Sequence, residues 1–273
     1  MKALVTGAEG FLGRNIVEAL RLKGFDVFRW VRGMNASTIE RENPEYIIHA
    51  AAEIYDESAM FESNVVLTHE ILKKLSQVSA LKKFVYIGSS SEYGRRATPS
   101  GECDALQPTN QYEATKGCGS LLTLALAKDL GISSTVIRPY SIYGNHEPKH
   151  RFIPTILESA LHEKQIDVFQ GAHDFLHIED FLSGVIAVLN NDRGQDIVNL
   201  GSGVCTSNKE LIQAFEAAWG RPLKVCYHDS KLRKFDTPVW QANIEYAEKC
   251  YGWKPQISLM EGLRKYISWK SQH

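Results

Sequence analysis

A tyrosine and a lysine four residues apart, Tyr112 and Lys116, form the pattern in this sequence that most suggests chemistry. On a helix, residues at this spacing share one face, so the two side chains can meet. The charge of the lysine can then stabilise a tyrosinate, which brings a phenol with a usual pKa of about 10 into use near neutral pH. The pair alone is also typical of a solvated helix face, so its meaning depends on the rest of the chain.

Two other stretches give the pair a context. Three serines, 89–91, follow an apolar run, 84–87, that is typical of a strand. A glycine-rich turn, with Gly7, Gly10 and Gly13 spaced three apart, stands between a strand and a helix at the start of the chain. Together these stretches predict hydride transfer at a carbonyl or carbinol carbon, with the tyrosine moving the proton.

The glycine spacing has a physical reading as a dinucleotide-binding turn. Gly7 would permit the tight turn, Gly10 would let the backbone approach a pyrophosphate, and Gly13 would let the helix pack closely on the sheet. The N-terminus of the helix would then face the phosphates.

The residues at the end of the second predicted strand indicate whether the adenosine ribose of the cofactor carries a 2′-hydroxyl or a 2′-phosphate. An acid there would bind a 2′-hydroxyl, whereas an arginine would accommodate a 2′-phosphate. The sequence offers Arg29 and Arg32 at this point and no acid, and Arg14 in the first helix could reach the same phosphate. These arginines favour NADP(H) as the cofactor, with NAD(H) as the alternative.

Composition excludes several classes of protein. The 273 residues are 44% hydrophobic and 23% charged, with a net charge of -1, so nothing indicates binding to nucleic acid or to an anionic membrane. No apolar run is long enough to span a bilayer, and the chain enters a strand without a signal-like leader. The five cysteines are scattered and show no metal-ligand spacing, so we expect no metal site and a reduced, cytoplasmic compartment.

The order of the predicted elements indicates an α/β fold. Short apolar strands alternate with helices, which predicts a Rossmann-type, doubly wound parallel sheet. The segment 32–43 is short and polar, without room for the extra strand and helix of a long dinucleotide fold. We predict a dinucleotide-binding domain from residues 1–144 and 173–200. A small discontinuous substrate domain would comprise residues 145–172 and 201–273.

Nine short motifs are distributed along nearly the whole chain. They are Thr6 to Gly13, His49 to Ala52, Asn64-Val65, Ser89 to Gly94, Tyr112 with Lys116, Arg138 to Gly144, Asp174 to Asp180, Asn199 to Gly203 and Tyr251 to Pro255. In type and order they resemble the motifs of the extended short-chain dehydrogenase/reductases. The resemblance is strongest to the nucleotide-sugar epimerases, dehydratases and 4-ketoreductases of that family.

The resemblance implies a role for each matching residue. The catalytic residues would be Ser89, Tyr112 and Lys116. Together with the arginines above, the expected cofactor-binding residues are Gly7, Gly10, Phe11, Leu12, Gly13, Arg14, Arg32, Ala50, Ala51, Ala52, Tyr112, Lys116 and Tyr140. The expected substrate-binding residues are Ser89, Ser90, Ser91 and Arg233. Arg233 lies where the family has an arginine that binds the diphosphate of the sugar nucleotide. The family has a second such arginine, and this sequence has His173 at that position.

One departure from the family pattern reduces the number of activities that the resemblance implies. The 4,6-dehydratases carry an Asp-Glu or Ser-Glu pair directly after the catalytic serine or threonine, where this chain has Ser90 and Ser91. Glu92 is shifted by one position, which would point it to the other side. The resemblance therefore disfavours a dehydratase.

The short segment after Arg32 and the run 88–94 resemble the small 4-ketoreductases. The favoured activity is NAD(P)H-dependent reduction of a nucleotide-activated 4-keto-6-deoxy sugar at C4. The alternatives are an NAD-dependent nucleotide-sugar 4-epimerase, similar to the UDP-glucose 4-epimerases, and a catalytically silent cofactor-binding sensor. The resemblance also implies a homodimer, formed through the helix after residue 58 and the Tyr112 helix, with Leu121, Leu122 and Ala125 on a buried face.

Overall fold

The computed structural model describes residues 1–194, 196–232 and 239–272. The strands are β1 (Lys2–Thr6), β2 (Asp26–Trp30), β3 (Tyr46–His49), β4 (Lys83–Ile87), β5 (Ser134–Pro139), β6 (Ser141–Tyr143), β7 (Ile166–Gln170), β8 (Ala172–His173), β9 (Phe175–His177), β10 (Asp196–Leu200), β11 (Thr206–Ser207) and β12 (Val225–Leu232). The helices are α1 (Phe11–Leu22), α2 (Ser37–Glu42), α3 (Glu57–Phe61), α4 (Leu67–Lys74), α5 (Gln111–Asp129), α6 (Phe152–Leu161), α7 (Ile178–Leu189), α8 (Asn208–Trp219), α9 (Glu245–Tyr251) and α10 (Leu259–Lys270).

Six strands form the central sheet, in the order β10-β5-β4-β3-β1-β2. All neighbours in it are parallel, as the alternation of strands and helices predicts. The inner strands are nearly continuous apolar runs because helices cover both faces of a parallel sheet. Every residue of β4 and of β5 is buried. The carboxyl ends of these strands therefore meet at one edge, where binding sites of such sheets form.

Apolar cores lie on both faces of this sheet. On one face, α1 and α7 pack through residues such as Ile16, Leu20 and Phe181, together with Trp253 from the C-terminal part of the chain. On the other face, the core is formed by side chains of the sheet, α2, α4 and the segment that follows α4, including Ile39, Ile71, Leu72 and Leu75. A third core joins α6, α8 and α10 to β7 beyond the sheet. Among the described residues, none of the helices combines the length and apolar content that a membrane span requires.

Two segments differ from the sequence prediction. The short segment after β2 contains a six-residue helix, α2, which contributes Ile39 to the core beneath it. The long helix predicted for residues 58–79 is interrupted by a π-helical turn at Glu62–Val66 between α3 and α4. A π-helical turn inserts one extra residue, and such insertions are frequent near functional sites.

The outer face of α5 is exposed in the single chain. Leu121 is 58% exposed and Ala125 is also exposed, so packing within the chain does not bury them. Phe61, on the neighbouring helix α3, is 57% exposed. The homodimer through these helices stays a prediction, which sedimentation equilibrium would test.

The division into two domains also stays a prediction, but one carboxylate joins segments from both. Asp174 is fully buried between β8 and β9. It accepts hydrogen bonds from the backbone and hydroxyl of Ser202 and from the backbone N–H groups of Gly203 and Ala242. It therefore fixes the loop after β10 and a distant C-terminal segment against the same point.

We expect Asp174→Asn to lower the free energy of unfolding by about 3 kcal/mol. The amide would turn an N–H₂ group toward donors that now meet a carboxylate, and buried donors without acceptors cost about 1–3 kcal/mol each. Urea denaturation would measure the loss, with the exposed Asp129→Asn as the matched control. Equal midpoints for the two variants would contradict this role of Asp174.

Candidate active site

Helix α5 brings the predicted tyrosine and lysine to the sheet edge. Asn110 caps the helix, its side chain accepting a hydrogen bond from the backbone N–H of Glu113 at 3.0 Å. Farther along the helix, a Cβ added at Gly119 would lie 2.2 Å from the hydroxyl of Tyr86 on β4. Only glycine therefore allows this close approach of helix and strand, which sets the depth of the helix relative to the sheet.

Lys116 is buried at the end of β4. Its ammonium donates a hydrogen bond to the carbonyl of Ile87 at 2.7 Å and lies 4.3 Å from the ring centroid of Tyr86. Burial lowers the pKa of Lys116 to about 8, against the opposing effect of the negative charge of Glu92. The lysine is thus held in place by the protein, with a weaker hold on its proton than an exposed lysine has.

The pKa of Tyr112 runs against the sequence prediction. Burial raises it, and a hydrogen bond with Ser89 is the largest influence in the opposite direction. The positive charge of Arg151 also lowers it. The ammonium of Lys116 is directed to the carbonyl of Ile87, and its stabilisation of the tyrosinate stays a prediction.

The three serines after β4 differ in their surroundings. Ser89 and Ser90 line the same cavity as Tyr112 and Lys116, as predicted. Ser91 does not line it, and its hydroxyl lies 2.8 Å from that of Ser89. The predicted contact of Ser91 with substrate therefore becomes a contact with the catalytic candidate next to it.

Glu92 fixes the loop that carries the three serines. Its carboxylate accepts hydrogen bonds from the backbone N–H of Ser89 at 2.8 Å, from Ser120 at 2.7 Å and from the Nε of Arg138 at 2.9 Å. It is fully buried, and burial raises its pKa although Arg138 opposes the shift. Glu92 therefore points away from the cavity, as its shifted position in the sequence predicts.

The glycine turn forms the floor of two adjoining cavities. Gly7 has a φ of +64°, and a Cβ there would lie 2.7 Å from the backbone of Ala51. A Cβ at Gly13 would lie 2.1 Å from the carbonyl oxygen of Gly7. No side chain caps α1 at Gly10, so the first N–H groups of this 12-residue helix are available to an anion. These features fit a bound dinucleotide.

The first cavity has a volume of about 400 Å³ and contains the catalytic candidates. The second, of about 520 Å³, lies toward β2. Between them, the two cavities are lined by most of the predicted cofactor-binding residues, namely Gly7, Gly10, Phe11, Leu12, Gly13, Arg32, Ala50, Ala51, Ala52, Tyr112, Lys116 and Tyr140. The predicted substrate residue Arg233 lies outside the described residues.

The two arginines predicted to share a phosphate are separated. Arg32 lines the second cavity, with a side chain that is 87% exposed and an ion pair to Glu53 at 3.2 Å. Arg14 lines neither cavity and lies 3.4 Å from the Nδ1 of His146, on the loop after β6. The side chain of Arg14 is directed toward that loop, so its contact with the phosphate stays a prediction.

Sequence reasoning assigned no role to Tyr55, Arg151 and Trp240, which line the first cavity. Trp240 donates a hydrogen bond from its indole to Ser90 at 3.0 Å, which ties the C-terminal segment to the serine loop. These residues lie on segments without a motif of their own. The replacement of the family's arginine by His173 was the one signal that pointed to this side of the cavity.

A group of potential metal ligands lies elsewhere, on paired strands β7 and β12. Asp167, Cys226 and His228 present ligand atoms within 4.8 Å of one another, and the Nε2 of His228 is 3.0 Å from Asp167. The sequence prediction of no metal site had not considered this group, because its members are far apart along the chain. The aspartate is exposed, and such groups are common on protein surfaces without a metal.

The chain matches a family model and is similar in sequence to several known proteins. The model of the NAD dependent epimerase/dehydratase family matches residues 3–201. A UDP-glucuronate 4-epimerase of Thermodesulfobacterium geofontis is 30% identical over 217 residues, covering 78% of this chain and 66% of the relative. A dTDP-glucose 4,6-dehydratase of Streptomyces griseus is 25% identical over 314 residues, covering 99% and 94% of the two chains.

Solved structures agree in fold. MoeE5 in complex with UDP-glucuronic acid and NAD superposes with a TM-score of 0.90 at 23% identity, covering 100% of this chain and 99% of the other. This likeness confirms the predicted α/β fold with its Rossmann-type parallel sheet.

The buried acid next to the cavity gives a pH prediction. Burial raises the pKa of Glu147 to about 7, against the effect of Arg151. Between pH 4.5 and 7 the folded protein then holds a proton that the unfolded chain releases, so this group's contribution to stability is lost as the pH rises. We expect the free energy of unfolding of the wild type to fall, relative to Glu147→Gln, by about 2–3 kcal/mol over that range.

Urea denaturation at several pH values would measure this difference. Glu248→Gln, at an exposed acid, is the matched control and should follow the wild type. A constant difference between the wild type and Glu147→Gln across the range would contradict the raised pKa.

Proposed function

The chain belongs to the NAD dependent epimerase/dehydratase family, and from that premise we propose that it transfers hydride at C4 of a nucleotide-activated sugar. The observation that carries the proposal is the meeting of Ser89, Tyr112 and Lys116 in one cavity beside the glycine turn. The names of the relatives support the position on the sugar, because a 4-epimerase and a 4,6-dehydratase both act at C4.

In the proposed mechanism, a bound nicotinamide cofactor supplies or accepts the hydride. Tyr112 donates its phenolic proton to the oxygen of the 4-keto group as that oxygen becomes an alkoxide, so that a ketone becomes a carbinol. Ser89 donates a hydrogen bond to the same oxygen and orients it. The charge of Lys116 stabilises the tyrosinate that remains, and its burial keeps the ammonium at a fixed depth.

We favour ketoreduction over dehydration for a structural reason. Elimination needs an acid and a base beside the catalytic serine, where this chain has Ser90 and Ser91. The nearest acid in the sequence, Glu92, is occupied by Ser89, Ser120 and Arg138. The proposed substrate is therefore a nucleotide-activated 4-keto-6-deoxy sugar.

A 4-epimerase is the second candidate, and the comparisons favour it. One relative is a UDP-glucuronate 4-epimerase, and MoeE5 is described with both UDP-glucuronic acid and NAD. An epimerase returns the hydride to the same carbon, so it needs no net supply of cofactor. The two candidates therefore differ in whether reduced cofactor is consumed.

The exposed guanidinium of Arg32 supports NADP(H) as an exchanging cofactor. We expect Arg32→Gln to weaken NADPH binding about tenfold or more and to change NADH binding little, because only NADPH carries the 2′-phosphate. Fluorescence titration with each cofactor would measure both affinities. Arg29→Gln removes an exposed charge from β2 and serves as the control.

The preparation should first be tested for bound nucleotide released on denaturation. Protein that carries stoichiometric, non-exchanging NAD would overturn the ketoreductase and leave the epimerase as the function. Protein that binds neither cofactor would overturn both candidates, and also the sensor.

We expect Tyr112→Phe to lower turnover about 10²- to 10⁴-fold while cofactor affinity stays near that of the wild type. The phenylalanine keeps the ring but has no proton to donate. A panel of 4-keto-6-deoxy sugar nucleotides, with NADPH oxidation followed by absorbance, would measure turnover. Wild-type turnover in the variant would exclude this mechanism, whereas a wild type that binds cofactor and turns over no nucleotide sugar would favour the sensor.

A further inference from the structure

Arg151 stands where two cavities join. It lines the 400 Å³ cavity of Tyr112 and also an adjoining cavity of about 220 Å³, which we call the outer cavity. The residues shared by the two are Ser141, Ile142, Arg151 and His173. A ligand that extends from Tyr112 into the outer cavity would therefore pass the guanidinium.

The guanidinium is fixed by its surroundings. Arg151 precedes α6, and its Nε forms an ion pair at 3.3 Å with Glu147, four residues earlier in the sequence. Glu147 is itself 8% exposed as a residue and accepts a hydrogen bond from the backbone of Gly144 at 3.3 Å. Arg151 also lies 5.7 Å from the ring centroid of Phe11 in the glycine turn. The ion pair uses Nε, so the two terminal nitrogens can bind a further anion in a bidentate manner.

Charge singles out this residue. Among the described residues that line the two cavities, the lysine and arginine side chains are those of Lys116 and Arg151. Lys116 is 2% exposed and directed to a carbonyl, whereas the side chain of Arg151 is 33% exposed. The charge of Arg151 also lowers the pKa of Tyr112, so the guanidinium acts on the catalytic end of the cavity.

The outer cavity is also lined by other polar residues, among them Glu147, the ion-pair partner of Arg151. Asn208, at the start of α8, lines it and is 2% exposed. Its amide nitrogen donates to the carbonyl of Phe169 at 3.1 Å, and among the described residues its Oδ1 has no hydrogen-bond partner. A buried acceptor of this kind is usually satisfied in proteins, so this side of the cleft suits a ligand that carries polar donors.

We propose that Arg151 binds the diphosphate of the nucleotide sugar and is a substrate-binding residue of the cleft. The inference rests on the proposed function, because that function supplies a substrate whose diphosphate separates sugar from nucleoside. With the sugar at Tyr112, the diphosphate meets Arg151 and the nucleoside enters the outer cavity. Arg151 thereby offsets the replacement of an arginine by His173, which lines both cavities beside it.

Calorimetric titration with UDP, dTDP, GDP and CDP would test this role directly, using protein saturated with the cofactor that it binds. We expect Arg151→Gln to weaken the best of these ligands about 10- to 100-fold, because a charge-assisted bidentate contact is lost. Arg151→Lys should retain part of the affinity. Lys149→Gln removes an exposed charge from the same loop and should bind as the wild type does.

The outcomes separate the two proposals. Equal diphosphate binding by the wild type and Arg151→Gln would overturn the role of Arg151 and leave the proposed function standing. The same holds if Arg151→Gln loses only a preference for UDP-glucuronic acid over UDP-glucose, since the arginine would then bind a sugar carboxylate. A wild type that binds cofactor but none of the four diphosphates would overturn both proposals.

Cofactor affinity and thermal melting of Arg151→Gln, measured beside the titrations, distinguish a local loss from misfolding. If that variant does not fold, the kinetics of Arg151→Lys provide the test. The lysine side chain is shorter and cannot make a bidentate contact, so this variant should raise the KM for substrate and change kcat less. An unchanged KM would overturn the inference.

Discussion

The buried carboxylate of Glu92 is the interaction on which the geometry of the site depends. It joins three elements that are distant in sequence, through the backbone of Ser89 after β4, Ser120 on α5 and Arg138 on β5. Burying two charges is costly, and removing one partner of such a pair typically costs about 3–5 kcal/mol. Ser89 and the helix of Tyr112 are therefore fixed relative to each other by one network.

The same network explains why the chemistry is confined to few groups. A carboxylate that satisfies three donors beneath the serine loop is not free to take a proton from a substrate above it. The hydroxyl of Ser90 accepts a hydrogen bond from Trp240, and that of Ser91 contacts Ser89. In the proposed mechanism, proton transfer therefore falls to Tyr112, with Ser89 and Lys116 in the same cavity, and this set suits the addition or removal of hydride with one proton.

Much of the fold and part of the site could be predicted from the sequence. The strands of the central sheet are apolar runs ending in short loops, and their alternation with helices along the chain indicates the parallel sheet that the structure has. The resemblance to the extended short-chain dehydrogenase/reductases is confirmed by the family match. The motifs succeeded because backbone geometry requires them, as at Gly7, where a side chain would collide with Ala51.

What the sequence did not predict has a common physical origin, because it concerns the directions of side chains, which only tertiary packing determines. Spacing placed Arg14 and Arg32 near one phosphate, but the rotation of α1 turns Arg14 toward His146. Spacing indicated that Tyr112 and Lys116 share a site, but it did not show that the ammonium is directed to a backbone carbonyl and the tyrosine to Ser89. Arg151 carried no sequence signal, because its importance comes from lying at the junction of two cavities. Local sequence thus fixes which groups are present at the sheet edge, while tertiary packing decides which of them face the ligand.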